Sequence, residues 1–406
     1  MTPGGGGTAD CPGLLCDGTV IARPMTQLFW LSLLLLGYIY LGYPLLLGLL
    51  GRGRDGVTLA VRELPRVSIL IAAHNEAKDI EATLRNKLAL DYPHDRLEII
   101  VVSDESTDAT DAIVERIADT VDIPVRLVRQ EPRRGKTAGL NLIVPLASGE
   151  ILVFSDANSL YDRQALRHLV ARFSDPQIGY VTGKMVYTNP DGALLGDGCS
   201  SYMKYENLLR VLETRVGSVV GVDGGIDAMR RNLYTPLADD QLPDFVQPLK
   251  VIEQGYRVVY APEALLMEAA LSDAGSEYPM RVRVALRALW ALHDMRALLN
   301  PLRHGVFSLQ LISHKLLRYL AFVPLSLVFI LNVLLLGEGP LYAVLFCGQL
   351  LFYLMAWLGY RSEGGEDSPR YLSLPYYFTL LNLASLHATW RYLKGDKQVI
   401  WKPREG

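Results

Sequence analysis

Four apolar stretches limit what this chain can fold into before any motif is read. Leu28 to Leu50 carries no charged residue. As a helix it reaches ~34 Å, enough to cross a bilayer core of ~30 Å. Tyr319 to Gly337 and Leu341 to Tyr360 are two more uncharged runs of spanning length, joined by the short linker Glu338-Gly339-Pro340. Tyr371 to Trp390 is a fourth, interrupted by Pro375, Asn382 and His387. It reads either as a further span or as a helix in the interface or packed among the others. Arg52, Arg54, Arg62 and Arg66 follow the first run, and only Arg23 closely precedes it. Arg296, Arg303, Lys315 and Arg318 precede the second. Positive loops stay inside, so the expected location is the cell (inner) membrane with the middle of the chain in the cytoplasm. If the fourth segment crosses, Lys394, Lys397 and Lys402 lie outside, against that rule.

The rest of the composition is that of a soluble domain joined to these helices. The 406 residues are 50% hydrophobic with a formal net charge of −3, so no basic face for nucleic acid is expected. Cys11, Cys16, Cys199 and Cys347 are scattered with no C-x-x-C, and the histidines form no H-x-x-x-H pair. Neither a zinc site nor a disulfide framework follows, and Cys199 and Cys347 read as reduced structural residues. Gly4 to Gly7 opens a stretch without the basic start or short apolar core of a signal peptide, and Met25 is a second possible start. The expected organisation is a disordered tail at 1–25, a transmembrane helix at 26–51, a catalytic α/β domain at 52–276, amphipathic interfacial helices at 277–317, two or three transmembrane helices at 318–393, and a tail at 394–406.

Arg66 to Ala72, Leu97 to Ser103 and Glu150 to Ser155 are nearly continuous apolar runs, as strands buried on both faces of a parallel sheet require. Helical patterns at 79–90, 108–120 and 136–147 alternate with them, giving right-handed βαβ units and a doubly wound sheet. Ligands of such sheets bind at the carboxyl ends of the strands. There the sequence places His74-Asn75-Glu76, then Asp104 with Glu105-Ser106-Thr107-Asp108, then Asp156-Ala157-Asn158. No G-x-G-x-x-G follows the first strand and no Walker lysine loop occurs, which disfavours dinucleotide and P-loop enzymes.

Each of these residues has a bland reading. Ser106 or Thr107 is a good N-cap for the following helix, and Asp108 suits its first turn. Asp156-Ala157-Asn158 is compatible with an Asx-turn, or with a Mg²⁺ or Mn²⁺ site in which a diphosphate supplies further oxygens. Between Met280 and His304, Val282, Leu286 and Leu289 share one helical face while Arg281, Arg283, Arg287 and Arg296 add charge. That pattern suits anchoring at the membrane surface, or contact of Arg283 or Arg287 with a diphosphate or acceptor. Asp244 between Pro243 and Pro248 reads as a helix entrance, with Asp239 and Asp240 just upstream.

Taken in order, the segments resemble family 2 glycosyltransferases, the group of cellulose, chitin, hyaluronan and poly-N-acetylglucosamine synthases, over roughly residues 66 to 300. Val67 to Glu76 is similar to the family's opening strand and N-E turn, and Val102 to Asp108 to its D-G-S-T-D segment. Arg134-Gly135-Lys136 with Asn141 is similar to G-K-x-x-A-L-N, and Phe154 to Asn158 lies where the family carries D-x-D. Asp244-Phe245, then Gly255 to Tyr260 and Pro262-Glu263-Ala264, resemble the acceptor-base segment and the strand after it. The resemblance implies a GT-A fold, Rossmann-like, a UDP-sugar donor, inversion at the anomeric carbon, and Mg²⁺ or Mn²⁺ held by Asp156 and Asn158. It implies substrate contacts from Ala72, His74, Glu76, Asp104, Lys136, Asp156, Arg283, Arg287 and Trp290, with Asp244 as catalytic base. The implied acceptor is a growing cell-surface or secreted polysaccharide, with partner subunits of an export system; the alternative is one sugar passed to a polyprenyl phosphate or glycolipid. Three positions depart from the pattern. Asn158 replaces an aspartate, Glu105 replaces a glycine, and Q-x-x-R-W is not intact around Arg283, Arg287 and Trp290. The last departure weighs against processive extension.

Overall fold

A computed structural model describes residues 17–53, 63–188, 194–269, 274–362 and 369–397. Cys11, Cys16, the side chain of Cys199, and most of both expected tails lie outside this description; Cys347 is exposed on an apolar helix. The strands are β1 (Val67–Ala73), β2 (Leu97–Asp104), β3 (Val125–Gln130), β4 (Ile151–Asp156), β5 (Leu160–Tyr161), β6 (Ile178–Thr188), β7 (Ile226–Arg230) and β8 (Arg257–Ala269). They form one sheet in the order β3-β2-β1-β4-β7-β6-β8-β5.

The expected parallel arrangement holds for β3, β2, β1 and β4, with Ala72 beside both Val102 and Asp156. Beyond β4 the sheet is mixed: β6 and β8 pair in parallel, but the other pairings do not. β7 runs antiparallel to β4 and β6, and β5 antiparallel to β8. Lys184, Asp227 and Arg230 interrupt the apolar pattern of β6 and β7, which is why those strands do not announce themselves in the sequence.

The N-terminal helices are α1 (Asp17–Gly37) and α2 (Tyr43–Leu50), joined by a π-helical turn. Helix α1 thus begins inside the stretch expected to be a disordered tail. The soluble helices are α3 (Ile80–Leu88), α4 (Thr110–Ala118), α5 (Lys136–Ile143), α6 (Ala165–Ala171), α7 (Leu194–Val216) and α8 (Pro243–Glu253). The C-terminal ones are α9 (Ala274–Asp294), α10 (Pro301–His304), α11 (Val306–Leu311), α12 (Leu317–Tyr319), α13 (Phe322–Leu334), α14 (Pro340–Arg361) and α15 (Ser373–Leu393). Successive strand residues point to opposite faces, so each strand feeds two cores. Ile69, Ile71, Ile99, Val101 and Val153 pack with α3, α4 and α6. Leu70, Ile100, Val102, Leu152 and Phe154 pack with Leu140 and Ile143 of α5.

Two described helices are long and apolar enough to cross a membrane, Arg23–Leu50 and Pro340–Arg361. The run at 319–337 is not a straight span. Its helix α13 has 13 residues, ~20 Å of rise, and meets Val306–Tyr319 at a 55° bend, so only the bent pair together would make a third span. The fourth run, α15, does not qualify as a span. Its Ala384 and Ala388 bury against Val282, Ala285, Leu286 and Leu289 of α9. The apolar stripe of α9 is therefore covered by α15 rather than open to lipid, because small residues on α15 allow close approach.

A buried polar joint ties the soluble domain to the apolar helices. Glu213 of α7 accepts from Tyr43 Oη at 2.6 Å and from Val220 N–H at 3.1 Å, and its Oε1 lies 2.6 Å from His314 Nδ1. His314 Nε2 lies 3.1 Å from Glu206, which also pairs with Arg318. Burial opposes the Glu206 charge, but Arg318, His314 and Lys315 overcome it and hold the carboxyl well below its usual range. Removing one partner of a buried pair leaves the others uncompensated. Glu213→Ala is expected to cost ~3 kcal/mol or more, measured by unfolding in detergent, with Tyr43→Phe costing ~1 kcal/mol.

Candidate active site

The carboxyl edge of β1, β2 and β4 is closed by short loops that hold one another. Asn75 (φ 55) and Glu105 (φ 57) are left-handed, which turns both loops sharply out of the sheet. Asn75 N–H donates to Ser106 Oγ at 3.1 Å, and Thr107 N–H donates to Asn75 Oδ1 at 2.8 Å. Glu76 N–H donates to Thr110 Oγ1 at 2.9 Å. Asp108 accepts from Ala77 N–H and Thr110 N–H, each at 3.0 Å. The N-cap of α4 is Ala109, which makes no side-chain cap; Asp108 accepts the N–H of Thr110, the first residue of the helix, and Ser106 supports the neighbouring loop.

Asp104 is turned inward. Its carboxylate accepts from Gln130 Nε2 at 2.5 Å and from the N–H groups of Arg134 and Gly135, each at 2.9 Å. Gly135 has φ 93. Asp104 thus folds the 130–135 loop and aims α5 into the site. His74 Nδ1 lies 2.6 Å from the Asp104 carbonyl oxygen; a carbonyl only accepts, so Nδ1 carries the proton. Ala72 flanks Asp156 in the sheet register.

Lys136, first residue of α5, brings the two central carboxylates together. Its Nζ lies 2.8 Å from Asp156 Oδ1 and 3.2 Å and 3.4 Å from the two oxygens of Asp244. Burial works against the ammonium, but Asp156 and Asp244 outweigh it and hold Lys136 above its usual range. Burial raises the Asp244 carboxyl, and Lys136 partly opposes the rise. Asp244 makes no helix cap: the N-cap of α8 is Leu242, and no side chain caps it. The rival carboxylates are engaged elsewhere, Asp239 with Arg134 at 2.9 Å and Asp240 with Lys397 at 2.6 Å.

Helix α9 brings Arg287 to the same side. It donates to Gln241 O at 3.1 Å, while its buried Nε has no hydrogen-bond partner. Burial lowers its pKa, Asp244 supports its charge, and the neighbouring Arg283 opposes it. Trp290 is half-buried. Its Nε1–H donates to Asp396 O at 2.8 Å, Tyr392 packs on it edge-on at 4.8 Å, and Lys397 Nζ sits 4.9 Å from the ring centre.

One buried residue behind the Asp156 loop escaped the sequence reading. Lys87 of α3 donates to Ser159 O at 2.6 Å and lies 3.4 Å from the centre of the Tyr161 ring. Its signal was a cation on the face that carries Ile80 and Leu84. A cleft of about 640 Å³ opens at the opposite edge of the sheet, lined by Glu63, Glu150, Arg230 and Arg231 among others, and contains none of the expected site residues. Among the described residues no group of three or more His, Cys, Asp or Glu is placed to hold a metal by itself.

Parts of this chain are similar to known proteins. Residues 68–229 match the family model described as Glycosyl transferase family 2. The probable glycosyltransferase YdaM of Bacillus subtilis (strain 168) is 30% identical over 220 residues, 51% of this chain and 51% of that protein. The poly-beta-1,6-N-acetyl-D-glucosamine synthase of Staphylococcus aureus (strain COL) is 28% identical over 230 residues, 55% of each. The chain thus spans about half the length of the curated relatives it matches. The mannosyltransferase PcManGT from Pyrobaculum calidifontis, solved in complex with GDP-Man and Mn²⁺, is similar in fold, with TM-score 0.67 and 24% identity over 90% of this chain and 98% of that one. The sheet, the loops at its carboxyl edge and the family match agree: this chain carries a glycosyl transferase family 2 domain of GT-A fold.

Proposed function

We propose that the chain is an inverting glycosyltransferase that moves a sugar from a UDP-sugar to a growing polysaccharide at the cytoplasmic face of a membrane. The observation that carries this reading is the Lys136 ammonium held between Asp156 and Asp244 at the carboxyl edge of the sheet. The two apolar helices and the arginine asymmetry around the first support the membrane face. The relative named poly-beta-1,6-N-acetyl-D-glucosamine synthase supports a polymer product. One observation favours transfer to a lipid acceptor instead: Trp290, where the processive pattern has its polymer seat, packs against Tyr392 and donates to Asp396 O.

In this mechanism the acceptor hydroxyl attacks the anomeric carbon from the side opposite the departing nucleotide. A hydroxyl is a weak nucleophile at neutral pH, so Asp244 accepts its proton as the bond forms. Lys136 keeps Asp244 ionised in a site where burial favours the neutral acid. Lys136 and Arg287 also put positive charge where the diphosphate gains negative charge. The Asp156 carboxylate and the Asn158 amide oxygen suit a hard cation that takes its remaining oxygens from substrate phosphates and water, the usual Mg²⁺ or Mn²⁺ arrangement. Such a cation supplies Lewis-acid stabilisation of the leaving group. Asp104, His74 and Glu76 shape the nucleoside end of the pocket, Asp104 through the 130–135 loop.

Three measurements test this reading. Asp244→Asn is expected to fold and bind UDP but transfer sugar at least ~100-fold more slowly, while Asp240→Asn, already engaged by Lys397, stays near wild type; the reverse result moves the base to Asp240. EDTA is expected to abolish transfer of labelled sugar and Mn²⁺ or Mg²⁺ to restore it, with Asp156→Ala far worse than Asn158→Ala; full activity in EDTA refutes the metal. Without its ammonium neighbour Asp244 holds its proton to higher pH, so Lys136→Met should move the acid limb of the rate profile upward by ~1 pH unit or more. An unmoved limb separates Lys136 from the base.

A further inference from the structure

Asp227 is a buried carboxyl that this mechanism does not use. It lies on β7 between Ile226 and Ala228, with β4 and β6 on either side, and is fully buried. Its Oδ2 accepts from Tyr180 Oη at 2.9 Å and from Gly224 N–H at 3.1 Å. The bond to Gly224 links it to the site. Gly224 has φ +80 and packs so closely that an added Cβ would lie 2.8 Å from the Asp244 carboxyl carbon. The next residue, Gly225, faces the other central carboxylate: a Cβ there would lie 3.4 Å from Asp156 Oδ2 and 3.1 Å from Ser159 Oγ.

The loop from Asp223 to Gly225 is therefore a wall shared by Asp244 and Asp156, and each of its residues is anchored. Arg210 holds the Asp223 carboxylate at 2.7 Å. Tyr161 Oη donates to Gly225 O at 2.7 Å. Gly224 N–H goes to Asp227. We propose that Asp227 is a positioning residue for the transfer reaction, fixing Gly224 and through it the seat of the Asp244 carboxylate. This rests on the glycosyltransferase reading above.

The protonation state of Asp227 follows from its neighbours. It is faced by Tyr180 and Thr182 from β6, Tyr161 from β5, Asp223 from the loop and Asp244 from α8. Burial pushes its carboxyl up to about 7; Thr182 and Tyr180 oppose the rise, while Asp244 and Asp223 add to it. The cations close to this set are committed elsewhere: Arg210 to Asp223, Lys136 to Asp156 and Asp244, and Lys87 to Ser159 O and the Tyr161 ring. Ionisation would add charge beside Asp244.

The test compares wild type, Asp227→Asn and Asp227→Ala in detergent, by donor kinetics and by melting. Asp227→Asn keeps an oxygen acceptor for Gly224 N–H and should stay within ~3-fold of wild-type kcat, whereas Asp227→Ala should lose roughly 100-fold in kcat with donor KM little changed. A folded Asp227→Ala protein with normal kcat, or one whose loss falls on KM, overturns the proposal. Because the folded pKa is raised, wild type loses stability relative to Asp227→Asn as pH rises from about 4, where the unfolded carboxyl ionises, to about 7, so the Tm gap between them should shift against wild type over that window and level off above it. A constant gap also overturns the proposal, and this arm needs no turnover. If wild type transfers no sugar, the functional reading fails and melting alone decides the protonated carboxyl.

Discussion

The ammonium of Lys136 is what allows Asp156 and Asp244 to share one site. They come from different elements, the end of β4 and the first turn of α8. Two carboxylates brought together away from bulk water repel each other and favour protonation. A cation within 3.2 Å of both offsets part of that penalty. Its placement depends on Asp104, which accepts the N–H groups of Arg134 and Gly135 and so sets where α5 begins. Asp104 in turn depends on β2 lying beside β1 in register. The chemistry thus rests on a chain of ordinary backbone hydrogen bonds that ends in one side-chain amine.

This arrangement explains which parts were legible in the sequence. The strands β1, β2 and β4 were readable to within one residue because they are buried on both faces and so continuously apolar. Asp156 and Lys136 were readable because each begins or ends such an element. The strands β6 and β7 were not, since Lys184, Asp227 and Arg230 interrupt their apolar pattern. Arg230 bonds to backbone oxygens of Phe173, Asp175 and Ile178. Asp104 was read as a substrate contact; the fold adds that its carboxylate also holds the 130–135 loop. Trp290 was read as a substrate contact too, and only the fold reveals that Tyr392 at the end of α15 packs against it. The helical pattern of α15 was legible, but its fate was not: whether an apolar helix faces lipid or protein depends on what packs against it.

The joint between α7 and the apolar helices shows a second use of buried charge. Glu213 and Glu206 face His314, with Tyr43 and Arg318 completing the set. In an apolar setting such groups are tolerated only when each is satisfied by another. Satisfied in this way, they fix how the helix bearing Tyr43 meets the α/β domain. The wall at Asp223–Gly225 lies a few residues beyond the Glu213 end of α7 and is held by Arg210 of the same helix. The joint and the site therefore share one rigid element, which places the chemistry at a set distance from the apolar helices.

The central claim is that the Lys136–Asp156–Asp244 cluster is where a nucleotide sugar reacts. A structure of the chain in a lipid nanodisc with UDP and Mn²⁺ tests it most directly. The diphosphate is expected beside Asp156 and Asn158, within reach of Lys136 and Arg287, with the uracil end toward the 130–135 loop and Asp244 left facing open space for an acceptor. A nucleotide bound instead in the cleft lined by Glu63, Glu150 and Arg231 would contradict the account.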